Sequence, residues 1–251
     1  MTDGELLDTL AVAAEQVRLV LSEIDDWLPG TDRAGQYRID VAADAVAVEV
    51  LVEAGLGVLS EESGIHHAGR AVTVVLDPVD GSTNASRGIP WYATSLCAVD
   101  ANGPRVSLVV NQASGERFDA VRGGGARCDG RPVRPSGCEN LGDAIVCLSG
   151  FPSGRWGWRQ FRALGAAALD LCYVADGRLD AFAGIARDGL GPWDYLGALL
   201  VCEEAGAVVV DEAGRDLVVL DHDARRFPLA AANGALLAQL SAAAADGAVG
   251  G

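Results

Sequence analysis

Asp77-Pro78-Val79-Asp80-Gly81-Ser82-Thr83-Asn84 stands directly after Ala71-Val72-Thr73-Val74-Val75-Leu76, an apolar, β-branched run with the composition of a buried strand. Such a strand delivers two carboxylates, at i and i+3, into a tight turn. Pro78 fixes φ at its position, and Gly81 supplies a bend that a residue with a Cβ would resist. Ser82 and Thr83 then sit where a helix can start, with free backbone N–H groups. Carboxylates for a hard cation beside N–H groups for an anion make a site for a metal-bound phosphate. The plainer reading is an Asp-Pro and Asp-Gly turn with solvated carboxylates. Asp-Gly alone favours that reading; the whole octapeptide after a buried strand is much less common.

The chain has 251 residues, enough for one large domain or two coupled ones with a sizeable core. Half of the residues are hydrophobic, yet no apolar run approaches the roughly 18–20 residues of a membrane span. The acidic start Met1-Thr2-Asp3-Gly4-Glu5 passes straight into a helix pattern, unlike a secretory signal. The expectation is a cytoplasmic protein with no membrane partner. The net charge of −16 disfavours a nucleic-acid partner, and it makes a bridging cation more necessary for any anionic substrate. All 19 basic residues are arginine. Six cysteines, at 97, 128, 138, 147, 172 and 202, form no C-x-x-C pair and sit mostly in apolar runs. They read as reduced, mostly buried thiols rather than a zinc or disulfide framework.

Residues 3–26 carry apolar positions at helical spacing, ended by Pro29-Gly30 and followed by a polar connection, Thr31 to Gln36. A second helix is expected from about Val41 to Ala54, with Asp44 inside it. A short strand, Leu56 to Ser60, leads into Glu61-Glu62-Ser63, two acids at a strand end. His66-His67 follow in a loop and read as surface residues. Strands at 93–99, 105–110, 117–121 and 125–128, separated by turn signals, suggest an antiparallel meander. Gly123-Gly124-Gly125 is a weak phosphate-loop candidate, with no Gly-Lys-Ser/Thr after it. The best boundary is 135–142, giving halves 1–138 and 139–251. Beyond it, strands at 144–148, 180–183, 207–210 and 227–232 alternate with helices at 166–175, 193–205 and 233–244, with a frayed tail over 246–251. Arg155-Trp156-Gly157-Trp158-Arg159 reads as the approach to the first of these helices. Trp193-Asp194 opens the second, where the aspartate serves as a cap, a ligand, or both.

Glu61-Glu62-Ser63, then Asp77 to Asn84, then Trp193-Asp194-Tyr195-Leu196-Gly197 with Glu204-Ala205-Gly206, resemble the inositol monophosphatase family in order and spacing. Arg162 to Ala168, running into Leu171–Ala175, and the closing Leu229–Asn233 resemble it too. The resemblance spans about Asp40 to Leu240. It implies an α+β fold, a layered αβαβα sandwich with an antiparallel-rich N-terminal sheet and a C-terminal α/β half. It implies Mg²⁺-dependent hydrolysis of a phosphomonoester, usually in a homodimer, with two or three Mg²⁺ per site. Carried over, Glu61 and Asp77, with the carbonyl of Val79, would hold the first metal; Asp77, Asp80 and Asp194 would hold the second. Glu61 and Ser82 would orient the attacking water, and the N–H groups of Gly81 and Ser82 would bind phosphate. Asp44 matches an early catalytic aspartate of the family. Asp194, the carbonyl of Ala167 and, in a departing segment, Asp188 would face the rest of the substrate.

The chain departs from the family in several places. The family's early lysine has no counterpart, and Arg38-Ile39-Asp40-Val41-Ala42-Ala43-Asp44 lacks the threonine of its Val-Thr-x-x-Asp motif. Ser82 replaces the commoner threonine, Ser60 a glycine, and Ala166 a Ser or Thr. The segment Asp180–Pro192 is longer than usual and lacks the glutamate that grips inositol hydroxyls, leaving Arg187 and Asp188 nearby. The catalytic half thus matches, and the specificity half does not. Inositol phosphate is the default substrate. Histidinol phosphate is the alternative, followed by a sugar bisphosphate and, disfavoured by charge, a 3′-phosphonucleotide. A non-catalytic relative that binds a phosphorylated ligand or a protein, and a structural domain whose acids are all caps and turns, are the remaining readings.

Overall fold

The computed structural model describes residues 1–23, 38–152 and 154–248. Two helices open it, α1 (Asp3–Glu23) and α2 (Arg38–Glu53). There follow β1 (Gly57–Ser60), β2 (Gly64–His66), β3 (Thr73–Asp80), the short α3 (Ser82–Ser86), β4 (Ala93–Asp100), β5 (Gly103–Asn111), β6 (Arg117–Val121), β7 (Gly125–Cys128) and β8 (Arg131–Pro132). The remainder comprises β9 (Ile145–Ser149), β10 (Gln160–Arg162), α4 (Ala167–Ala175), β11 (Ala181–Gly184), α5 (Pro192–Ala205), β12 (Val208–Asp211), β13 (Pro228–Ala231) and α6 (Gly234–Ala248).

The first sheet has the order β2-β1-β3-β4-β5-β6-β7-β8 and is antiparallel except where β1 runs parallel to β3. The second has the order β10-β9-β11-β13-β12, with β10, β9 and β11 parallel and the other pairs antiparallel. Leu6, Leu10, Ala13, Ala14 and Val17 recur every three or four residues on α1, and this stripe packs with α2 on the outer face of the first sheet. α4 and α5 lie between the sheets. Ten residues of α5 between Pro192 and Cys202 are buried, the apolar girth of a helix covered on both sides. α6 closes the far face of the second sheet through Leu236, Leu237 and Leu240. The architecture is αβαβα. Every residue of β3 after Thr73 is buried, because helices cover both faces of the sheet there.

Several elements differ from the sequence-based expectation. α2 begins at Arg38, so Asp40 and Asp44 sit on successive turns of it, both buried. β2, β8 and β10 were not expected: each has two or three residues at a sheet margin, too short to show a period. Asp246–Ala248, read as frayed, continue α6. Ile24–Asp26, the stop at Pro29-Gly30, the connection Thr31–Gln36 and Val249–Gly251 lie outside the described residues. Five cysteines are buried, Cys138 is half-buried, and none is paired. Gly123-Gly124-Gly125 is not an open phosphate loop: the N–H groups of Gly123 and Gly125 donate to the Glu204 carboxylate at 2.7 and 2.9 Å, so a side chain occupies the anion position.

Candidate active site

β1 and β3 run parallel with Ser60 opposite Leu76, where β1 ends and the pairing of the two strands stops. The next residues, Glu61 and Asp77, emerge there side by side. The Glu61 N–H donates to the Leu76 carbonyl at 3.1 Å and fixes the turn. Past Asp77 the β3–β4 register slips, and the Val79 N–H turns back to Asp77 Oδ1 at 3.0 Å. This is an Asx-type turn, made at the proline that has no N–H for the ladder.

Asp194 comes from the other half of the chain. It lies in the first turn of α5, where Pro192 costs no hydrogen bond, and it accepts from the Gly191 N–H at 2.6 Å. Ser95 of β4 donates to the Trp193 carbonyl at 3.2 Å and ties this helix start to the first sheet. One carboxylate oxygen each from Glu61, Asp77 and Asp194 lies within 4.8 Å of the others. Asp77 is almost wholly buried, while Glu61 and Asp194 keep partial exposure.

Such a group holds protons tightly. Burial, then the charges of Asp194 and Glu62, push Glu61 up to about 8. Burial and the Asp80 charge raise Asp194 to about 7, against the pull of the Gly191 N–H. Burial and the charge of Glu61 hold Asp77 well above the usual carboxylate range. A divalent cation relieves this repulsion, and the all-oxygen donor set fits a hard ion such as Mg²⁺.

The other expected residues take distinct places. Asp80 is not part of the three-acid group: its two oxygens accept from the N–H groups of Ala167 and Ala168, at 3.2 and 2.7 Å, and so cap α4. Ala167 therefore meets Asp80 through its N–H. Gly81 has φ +88, and an added Cβ would lie 3.0 Å from the carbonyl oxygens of Gly165 and Trp91, so only glycine fits. Ser82 opens α3 half-buried, and Val79 lies on the buried edge. Asn84, the last residue of the octapeptide, donates to the carbonyls of Trp91 and Leu164 at 2.8 and 2.7 Å, a clamp across the two halves. The Asp44 carboxylate accepts from the Ser60 hydroxyl, which in turn accepts from the N–H groups of Glu62 and Ser63 at 3.1 and 3.4 Å. Asp44 thereby shapes the turn that presents Glu61. Asp188 is exposed on the 186–189 turn and is not one of the grouped acids.

Sequence reading missed His222, whose Nε2 lies 3.0 Å from the Glu61 carbonyl oxygen, and Arg225, whose guanidinium lies 5.1 Å from the Trp193 ring centre. It also passed over Asp170, buried on α4 and bonded to the Trp91 indole N–H at 2.9 Å. No local pattern announces any of them.

The model of the inositol monophosphatase family matches residues 36–246. The chain belongs to this family. Among its relatives, the Nus factor SuhB of Salmonella typhimurium is 34% identical over 194 residues, covering 70% of this chain and 71% of that one. A fructose-1,6-bisphosphatase/inositol-1-monophosphatase of Thermococcus kodakarensis is 35% identical over 197 residues, covering 76% and 75%. The crystal structure of the extragenic suppressor protein suhB from Bartonella henselae superposes with a TM-score of 0.81 at 29% identity, covering 96% of this chain and 99% of that one. The family match takes in every residue of the acidic group, from Glu61 to Asp194.

Proposed function

We propose that this chain is a Mg²⁺-dependent phosphomonoesterase acting on a small phosphorylated metabolite such as an inositol monophosphate. The convergence of Glu61, Asp77 and Asp194 carries this reading. These three would hold the metal, two or three ions per site, with Asp80 and the Val79 carbonyl as further donors. When bound, the metal lowers the proton affinity of a water and offsets charge on the phosphate and the leaving oxygen. Glu61 and Ser82 orient the water for in-line attack, with no covalent intermediate. Asp44, through Ser60, holds the Glu61 turn in place. The N–H groups of Gly81 and Ser82 receive the phosphoryl oxygens. Asp80 fixes the start of α4, and Asp194, Ala167 and Asp188 border the remainder of the substrate.

The halves 1–138 and 139–251 close on this cleft, each supplying acids to it. The exposed margin strand β10 bears Phe161, in a row with Trp158 and Trp156, beside Arg159 and Arg162. A second copy of this acidic chain fits such a face, which supports a homodimer. Among the described residues no helix is long and apolar enough to cross a membrane.

Substrate choice rests on the other wall. Gly184 ends β11, and an added Cβ there would lie 3.0–3.2 Å from Pro228 and Leu190. The segment Asp180–Pro192 offers no glutamate for cyclitol hydroxyls, which keeps histidinol phosphate or a sugar bisphosphate as second readings. The other reading is a non-catalytic relative that binds a phosphorylated ligand or a protein, as a relative named a Nus factor brings to mind, and it has no need of the three grouped acids. The test is phosphate release from inositol 1-phosphate, histidinol phosphate and fructose 1,6-bisphosphate, with Mg²⁺ and with EDTA. Mg²⁺-dependent release that Asp77→Asn abolishes is expected. Absence of release from every ester would overturn the assignment.

A further inference from the structure

The connection between β12 and β13 reaches both halves of the acidic group. We propose that His222, on this connection, is a positioning residue: it holds Glu61 against Asp194 and so sets the affinity of the site for a divalent cation. The proposal rests on reading the three acids as a cation site.

A carbonyl oxygen only accepts, so His222 Nε2 carries the proton in its 3.0 Å contact with Glu61. Glu61 is thus held on both sides of its Cα, by β3 through its N–H and by His222 through its C=O. That leaves its carboxylate as the group turned to the cluster. The same imidazole stacks on Trp193, ring centres 4.7 Å apart and planes at 40°. Trp193 immediately precedes Asp194 on α5. One ring therefore touches the carrier of Glu61 in the first sheet and the carrier of Asp194 between the sheets. Two carboxylates that repel each other separate unless their carriers are tied, and outer partners of metal ligands commonly do this work.

The connection keeps its shape without the imidazole. Arg225 Nη1 donates to the carbonyls of His222 and Ala224, at 2.9 and 2.8 Å. Arg226 and Leu190 exchange main-chain hydrogen bonds at 2.8 and 2.9 Å, and Arg226 Nε donates to the Asp216 carbonyl at 2.7 Å. Loss of the ring therefore removes the tie and leaves its scaffold.

The experiment is a Mn²⁺ titration of the EDTA-treated full chain, followed by electron paramagnetic resonance of the free ion. Wild type, His222→Phe and His222→Gln are compared, each with a melting curve in EDTA. Phe keeps the stacking and loses the donor; Gln keeps a donor at the same reach. His222→Phe should weaken Mn²⁺ binding about tenfold, the lower end of the range for such partners, while His222→Gln, which restores the hydrogen bond to Glu61 without the Trp193 contact, recovers part of that loss. The melting midpoints in EDTA should agree. Wild-type affinity in His222→Phe would overturn the proposal alone. So would Phe and Gln variants equally weak and both melting early, the mark of a packing role. A wild-type chain that binds no Mn²⁺ would overturn both the proposal and the cation reading beneath it.

Discussion

Asp77→Asn separates a cation site from a structural acid cluster without knowledge of the substrate. The substituted amide keeps an oxygen for the Val79 N–H, so the Asx-type turn survives. What disappears is one charge among three acids whose oxygens lie within 4.8 Å. Raised proton affinity destabilises the charged form of the fold. Without metal, stability is full below the ordinary carboxylate range and falls as pH rises through the folded values of about 7 for Asp194 and about 8 for Glu61. Each pKa unit is worth about 1.4 kcal/mol, and with the charge shared among three groups the loss of one carboxylate should recover ~1–2 kcal/mol at pH 8. Added Mg²⁺ acts on the wild type alone. At one hundred times the dissociation constant it contributes about 2.7 kcal/mol, which for a chain of this length is roughly 5–10 °C in the melting midpoint. Thermal melts at pH 8 in EDTA and in excess Mg²⁺ should therefore cross: the variant melts higher than wild type without metal and lower with it. A variant that melts lower in EDTA, or that keeps the Mg²⁺ shift, would refute the reasoning.

Three further substitutions test the frame around the site. Gly81→Ala should cost ~2–4 kcal/mol in urea denaturation, from a Cβ at φ +88 pressed 3.0 Å from two carbonyl oxygens; a loss below about 0.5 kcal/mol would contradict that geometry. Asp170 is pushed up to about 7 by burial, so its charge weakens the fold progressively as pH rises above the ordinary aspartate value. Asp170→Asn should gain ~1–3 kcal/mol at pH 8 and nothing at pH 4, measured by denaturation at both. Glu204→Gln leaves one oxygen for the two N–H groups of Gly123 and Gly125 and should cost ~1 kcal/mol, again by denaturation, with unchanged stability as the contrary result.

The sequence by itself determined the elements that carry the chemistry. A β-branched run followed by Asp77–Asn84 dictates a buried strand, a turn and a helix start, because each signal acts within a few residues. Glu61 at a strand end and Asp194 at a helix start are legible for the same reason. The change from meander to alternating strands and helices is written in local periodicity as well, whereas the layered fold was implied by the family resemblance that the acidic motifs carry. Partners were decided by the tertiary structure alone. Asp80 accepts from N–H groups 87 and 88 residues away and caps α4 as well as bordering the site. Glu204 fills the glycine loop that read as a phosphate cradle, across 81 residues. His222 meets Glu61 across 161 residues with no motif around it. Strand and helix signals arise from neighbouring residues along the chain. The partner of a carboxylate or an imidazole is whichever group the packed layers bring within about 3 Å, and that depends on every element at once.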